Sequence, residues 1–281
     1  MSGGGVTGGA ALGMAAVTID VRPGPEELAE AAAVRFAAAV EAAVAEAAVE
    51  AAAVAERGRV AVALAGGSTP RRLYRRLALE PYAARLPWAA LDLFWGDERC
   101  VPPDDPASNY RSADEALLAH VAVDPAKVHR IRGEEGAAAA ARAYEDELRA
   151  VLGDASIFGG RFGLVLLGLG TDGHTASLFP AAFADRDGGE LADPHPGRLA
   201  APAEAPGEPT ERVTLTLSAL NAARRVLFLV QGAAKAEAVA ATFAGATPAS
   251  RVAPAAGEVC WLLDEAAAAG LPAAARRGGG R

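Results

Sequence analysis

Cysteine is scarce in this chain. Only Cys100 and Cys260 occur in 281 residues, and they form no CxxC pair. That argues against a disulfide framework or a structural zinc site and fits a reducing cytoplasm. Aromatic residues make up 5%, and there is no block of Lys and Arg in a chain of net charge −8. A nucleic-acid surface needs clustered cations to neutralise phosphates, so no nucleic-acid partner is expected. A local positive pocket for a small anion is still compatible with an acidic protein. No apolar run approaches the roughly 20 residues that span a bilayer. The opening MSGGGVTGGAALGMAAVTID also lacks the basic start of a signal peptide. No membrane partner is expected.

What is present is ample material for a core: 52% hydrophobic and 22% charged residues. Residues 1–16 read as a flexible tail and 17–275 as a single domain. Residues 25–57 have Pro near the start, Glu in the first turn and Gly58 beyond the end, the signals of one long helix. RVAVALAGG (59–67) switches to a short apolar strand. STPRRLYRRLA (68–78) reads as a helix opened by Ser or Thr caps. LDLFWGD (91–97) is a second strand, NYRSADEALLAHV (109–121) a helix, VHRI a short strand and GAAAAARAYEDELRAVLG a further helix. FGLVLLG (162–168) is apolar throughout, as in a strand covered on both faces. VTLTLSAL, RVLFLVQG (225–232), a helix in AAKAEAVAATFAG and the segment EVCWLLDEAAAAG complete the pattern. The Pro-, Gly- and acid-rich stretch 183–211 reads as a mobile surface loop. Alternating strands and helices predict an α/β fold: three layers, a mainly parallel sheet with helices on both faces, Rossmann-like.

Open parallel sheets bind ligands beyond the carboxyl ends of their strands. Four loops fall there. GGSTP places Gly66, Gly67, Ser68 and Thr69 at a helix N-terminus, where free N–H groups and the helix dipole favour phosphate. It is not a P-loop, because the G-x-x-x-x-G-K-[ST] spacing is absent. QGAAKAE places Lys235 at a helix start, where the dipole disfavours a cation unless an anion lies nearby. Arg212 opens a strand in a comparable way. GDERCVPPDDPASNYR offers Asp97, Glu98 and Arg99 at a strand end, where adjacent residues point in different directions and one can face the cleft, with Asn109 or Arg111 close behind.

The fourth loop, GLGTDGHTASLFP (168–180), contains G-x-G-x-x-G at Gly168, Gly170 and Gly173. A dinucleotide fingerprint should be followed about 20 residues later by an acid ending the next strand. Here GGELADPHPG follows instead, which argues against dinucleotide binding. His174 suits proton transfer near neutrality, and Asp172, two residues earlier, is placed to orient its ring. His120, His129 and His195 read as structural or solvated.

Together LAGGSTP, FWGDERCVPPDDPASNYR, LLGLGTDGHTASLFP, RVTLT and VLFLVQGAAKAEAV, in that order over roughly 20–270, resemble the 6-phosphogluconolactonase family. Its relatives include glucosamine-6-phosphate isomerase/deaminase. The deaminase pattern resembles DGHIAFNEPG and has an MDEY-like strand end, whereas this chain has Phe179 in place of the glutamate, and GDER. The resemblance implies hydrolysis of 6-phospho-D-glucono-1,5-lactone to 6-phosphogluconate in the oxidative pentose phosphate pathway, with a small phosphosugar lactone as the only partner. His174 would be the general base. Asp172 and Asp97 are both candidates for the carboxylate that assists it. Arg99 or glycine-loop N–H groups, including those of Gly170 and Gly173, would stabilise the oxyanion. Gly66, Gly67, Ser68, Thr69, Arg111, Arg212 and Lys235 would hold substrate and phosphate. No metal or organic cofactor is implied, and a cytoplasmic monomer or weak homodimer is expected. The alternatives are a deaminase-like phosphosugar enzyme and a catalytically silent sugar-phosphate-binding regulator. Family members often have glycine after LFP; here it is Ala181.

Overall fold

The computed structural model of the chain describes residues 16–52, 59–153, 161–183 and 191–276. Its main sheet has six parallel strands: β1 (Ala16–Arg22), β2 (Val60–Leu64), β3 (Leu91–Trp95), β5 (Leu164–Leu167), β8 (Arg225–Val230) and β9 (Glu258–Asp264). Their order is β1-β9-β8-β5-β2-β3. A second, antiparallel sheet runs β4 (Asp97–Arg99), β7 (Glu211–Leu215), β6 (Ala200–Glu204). The helices are α1 (Pro25–Ala52), α2 (Ser68–Leu77), α3 (Tyr82–Arg85), α4 (Asn109–Ala116), α5 (Ala137–Leu152), α6 (Leu217–Ala222), α7 (Ala236–Phe243) and α8 (Ala273–Arg276).

Helices cover both faces of the main sheet. β2, β3 and β5 are buried along their whole length, which is why they read as unbroken apolar runs. Arg35, Ala38 and Ala39 of α1 border a cavity with Leu227 and Cys260 on one face. Their sequence neighbours Phe228 and Trp261 point the other way, as strand alternation requires. These two rings stack at 3.7 Å, and Phe243 of α7 packs on Trp261 at 5.2 Å.

Strand order places the site. After β2 the chain moves out to β3, then returns to β5 and continues in the opposite direction through β8 and β9. The reversal falls between β2 and β5, where a doubly wound sheet opens its crevice. The loops after β8, β5, β2 and β3 therefore line up side by side at one edge.

Several expectations need correction. β1 lacks a distinct apolar pattern, with only Asp20 buried, and it goes unnoticed in the sequence; it pairs with β9 along its full length. The segment 183–211 is not one mobile loop, since Ala200–Glu204 pairs with β7. That strand is buried only at Ala200 and Ala201, and it contains Pro202, so it has no strand signature. VHRI contributes one bridge, Leu93 to Val128, rather than a strand. The strand expected over 91–97 ends at Trp95; Gly96 turns the chain into β4 of the second sheet, which starts at Asp97. The helix expected over 25–57 is described to Ala52; 53–58 and the tail residues 1–15 lie outside the described residues, as do 184–190 of the expected loop.

Candidate active site

The four loops enclose a cavity of about 270 Å³, lined by Gly66, Gly67, Asp97, Arg99, Asn109, Gly170, His174 and Lys235 among others. A space of that size admits a phosphosugar. The loop after β5 does not open a helix as a dinucleotide loop must. It folds back on itself, with Gly170 N–H donating to His174 O at 2.8 Å.

His174 Nδ1 lies 2.5 Å from Asp172 Oδ1, and the His174 backbone N–H donates to the same oxygen at 3.1 Å. A carboxylate only accepts, so Nδ1 carries the proton, and the neutral form of the ring would have its lone pair on Nε2. Burial opposes ionisation of Asp172, but the N–H and ring of His174 hold its carboxyl below the usual range. The turn depends on glycine. A Cβ on Gly170 would sit 2.1 Å from His174 Nδ1, and one on Gly173 (φ +82°) would sit 2.3 Å from Thr247 Cγ2. Gly170 lines the cavity and Gly173 does not; Gly173 shapes the turn.

The rest of the loop is anchored side chain by side chain. Thr175 Oγ1 donates to Gly168 O at 2.9 Å, Ser177 N–H to Thr214 Oγ1 at 3.1 Å, and Ser177 Oγ to Asp97 Oδ2 at 2.7 Å. Between these anchors Ala176 takes φ +47° and faces the cavity, a strained conformation for a residue with a Cβ. Ser177 and Thr214 lie within the GLGTDGHTASLFP and RVTLT stretches, but the sequence does not single them out as site residues; the sheet pairing that sets Thr214 opposite Asp97 brings them here.

Of the three adjacent residues Asp97, Glu98 and Arg99, the outer two line the cavity. Asp97 Oδ1 accepts from Asn109 Nδ2 at 3.2 Å and Oδ2 from Ser177, so both oxygens are occupied. Glu98 points inward, 3% exposed. It accepts from the backbone N–H groups of Arg99, Asn109 and Tyr110 at 2.7–2.8 Å and from Ser108 Oγ at 3.0 Å. Burial outweighs those donors and raises its pKa. Glu98 thereby ties the 98–110 loop closed, and Arg99 Nη1 donates to Ala107 O within it.

On the phosphate side, α2 begins without a side-chain cap: Gly67 (φ +99°) is the N-cap, not Ser68 or Thr69. Gly66 cannot carry a Cβ, which would lie 1.9 Å from Asn109 Oδ1. Ser68 is exposed and Thr69 half-buried at the rim, and neither lines the cavity. Lys235 reaches into the cavity, and partial burial lowers its pKa against the pull of Asp172. No hydrogen bond or ion pair holds Lys235 among the described residues.

Two arginines behave differently from expectation. Arg111 does not line the cavity; its Nε donates to Glu115 at 2.7 Å and its Nη1 to Asp104 O at 2.6 Å, out in solvent. The residue that the NYR segment delivers is Asn109. Arg212 is not among the residues lining the cavity; it pairs directly with Arg99 between β4 and β7, on the same sheet face, and is 8% exposed, with Nη1 donating to Pro209 O. Burial and the Arg99 charge lower its pKa.

The family description "Glucosamine-6-phosphate isomerases/6-phosphogluconolactonase" matches residues 24–261. The chain belongs to this family. Within it, the chain is 40% identical over 228 residues to the 6-phosphogluconolactonase of Mycobacterium leprae, covering 78% of this chain and 87% of that one. It is 38% identical over 267 residues to that of Mycobacterium tuberculosis, covering 91% and 98%. The solved 6-phosphogluconolactonase of Trypanosoma brucei superposes with a TM-score of 0.70 at 30% identity, covering 91% of this chain and 98% of that one.

Proposed function

We propose that the chain hydrolyses 6-phospho-D-glucono-1,5-lactone to 6-phosphogluconate, with His174 activating water. It would act in the cytoplasm, as a monomer or weak homodimer, without metal or organic cofactor. The observation that carries this reading is the Asp172–His174 pair at 2.5 Å on a small cavity that is also lined by Lys235, which has no hydrogen-bond or ion-pair partner among the described residues, and by Gly67, the N-cap of an α2 start without a side-chain cap.

In this reading His174 Nε2 takes a proton from water as the oxygen attacks the lactone carbonyl carbon. Asp172 stabilises the imidazolium that forms. Arg99 and loop N–H groups receive the developing oxyanion. As the tetrahedral intermediate collapses, the bond from carbonyl carbon to ring oxygen breaks. The imidazolium returns its proton to that oxygen, and the new carboxylic acid ionises. Asp97, with both oxygens occupied, braces the loops. Lys235 and the α2 N-terminus hold the 6-phosphate, with Arg212, paired opposite Arg99, adding positive field. No carboxylate stands at position 179 for the acid–base steps of a deaminase.

The test is to generate the lactone with glucose-6-phosphate dehydrogenase and follow its loss beside the spontaneous rate. A clear acceleration is expected, and no ammonia from glucosamine 6-phosphate. Loss at the spontaneous rate, or release of ammonia, would overturn the reading.

A further inference from the structure

A hydrogen bond at Nδ1 does not by itself fix an imidazole. The terminal torsion of histidine is broad, and the Asp172 side chain that holds Nδ1 is itself 39% exposed. A ring tethered at one atom on an exposed partner can swing about that tether. Two other contacts close off this motion. On one side lies the Gly170 backbone, near enough that a single methyl there would overlap Nδ1 and Cε1. On another lies the Phe179 ring, its centroid 4.5 Å from that of His174 and inclined at 47°. Phe179 is 7% exposed and does not line the cavity. Its ring contact on the site is with His174.

We propose that Phe179 is a positioning residue for His174: its ring sets the imidazole plane against the Gly170 backbone and keeps Nε2 aimed into the cavity. The inference rests on His174 being the base. The anchoring of the intervening chain supports it. Thr175, Ser177 and Leu178 are each tied by hydrogen bonds to Gly168, Asp97 and Thr214, or to one another, so the backbone that carries Phe179 is itself held in place. The aromatic face offers His174 no competing hydrogen-bond acceptor. Nε2 has no partner among the described residues and is available to water. A displacement of about 1 Å at a reacting atom can cost on the order of 10²-fold in rate, so a loosened ring should be visible kinetically.

The experiment compares Phe179→Ala, Phe179→Leu and Phe179→Tyr with the wild-type full chain by lactone hydrolysis, thermal unfolding and proton NMR of the His174 Nδ1–H. Phe179→Ala should lose roughly ten-fold or more in kcat with KM within two-fold. Phe179→Tyr should restore kcat to within about two-fold, and Phe179→Leu, which keeps the bulk but not the flat ring, should fall between. The downfield Nδ1 proton should broaden or vanish in Phe179→Ala and persist in Phe179→Tyr. Wild-type kcat in folded Phe179→Ala or Phe179→Leu overturns the inference, as does a tyrosine variant no better than alanine. Where Phe179→Ala does not fold, Phe179→Leu decides. The NMR signal is read without turnover, so failure of the wild type to hydrolyse the lactone would sink the functional reading and leave this one separately decided.

Discussion

Ser177 Oγ donates to Asp97 Oδ2 at 2.7 Å, joining residues 80 positions apart in the chain. Asn109, from the start of α4, donates to the other oxygen of the same carboxylate. Its amide in turn lies so close to Gly66 that no Cβ fits between them. One carboxylate thus links the His174 loop to the β3 loop, and through Asn109 to the loop after β2. Ser177→Ala removes a partly buried hydrogen bond to a carboxylate, a loss of about 1.5–3 kcal/mol. The expected result is a lower urea midpoint with unchanged slope, together with a fall in kcat larger than any rise in KM. An unchanged midpoint would show that the bond does not tie the loops.

His129 is the centre of a second network, far from the cavity. Its Nε2 lies 2.9 Å from Asp92 Oδ1 and its Nδ1 2.7 Å from Glu147 Oε1, and its ring stacks on Phe94 at 4.4 Å. Burial opposes protonation, but the two carboxylates outweigh it and push the pKa up from 6.5 to about 9. A pKa raised on folding adds stability that is complete below the unfolded value and disappears as pH rises through the folded one. Unfolding free energy should therefore decline between pH 7 and 9.5, and more steeply in wild type than in His129→Gln. Parallel profiles would mean that His129 is neutral in the folded protein. The sequence reads His129 as structural or solvated, and it is not among the residues lining the cavity.

The phosphate assignment separates two cations of similar sequence standing. Among the described residues Lys235 has no hydrogen-bond or ion-pair partner, and it lines the cavity, whereas Arg111 is satisfied by Glu115 and Asp104 outside it. Lys235→Ala should raise KM by about ten-fold or more with a smaller effect on kcat, the pattern of lost uniform binding. Arg111→Ala should leave KM within about two-fold of wild type. A large KM effect at Arg111, or none at Lys235, would reverse the assignment.

The parts of the fold that are legible in the sequence are those where local chemistry and burial agree. β5 and β8 are apolar because both faces are covered, and the glycine-ended loops follow from strands that end at one edge of a parallel sheet. β1 and β6 are not legible, because each is held by pairing with a partner strand and not by its own pattern: Val17 is 55% exposed and β6 carries a proline. The DGH motif locates the dyad because two residues of one tight turn must lie close. Ser177, Thr214 and the inward direction of Glu98 depend on the second sheet, which connects residues more than 100 positions apart in the chain. Choosing Asn109 over Arg111 requires the first turn of α4, since neighbouring helical side chains point about 100° apart.

The central claim is that His174 supplies the base for lactone hydrolysis. It is tested most directly by measuring kcat for loss of 6-phospho-D-glucono-1,5-lactone, corrected for spontaneous hydrolysis, in wild type and folded His174→Ala. A loss of about 10²–10⁴-fold in kcat with KM little changed is predicted. Wild-type kcat in the folded variant would contradict the claim.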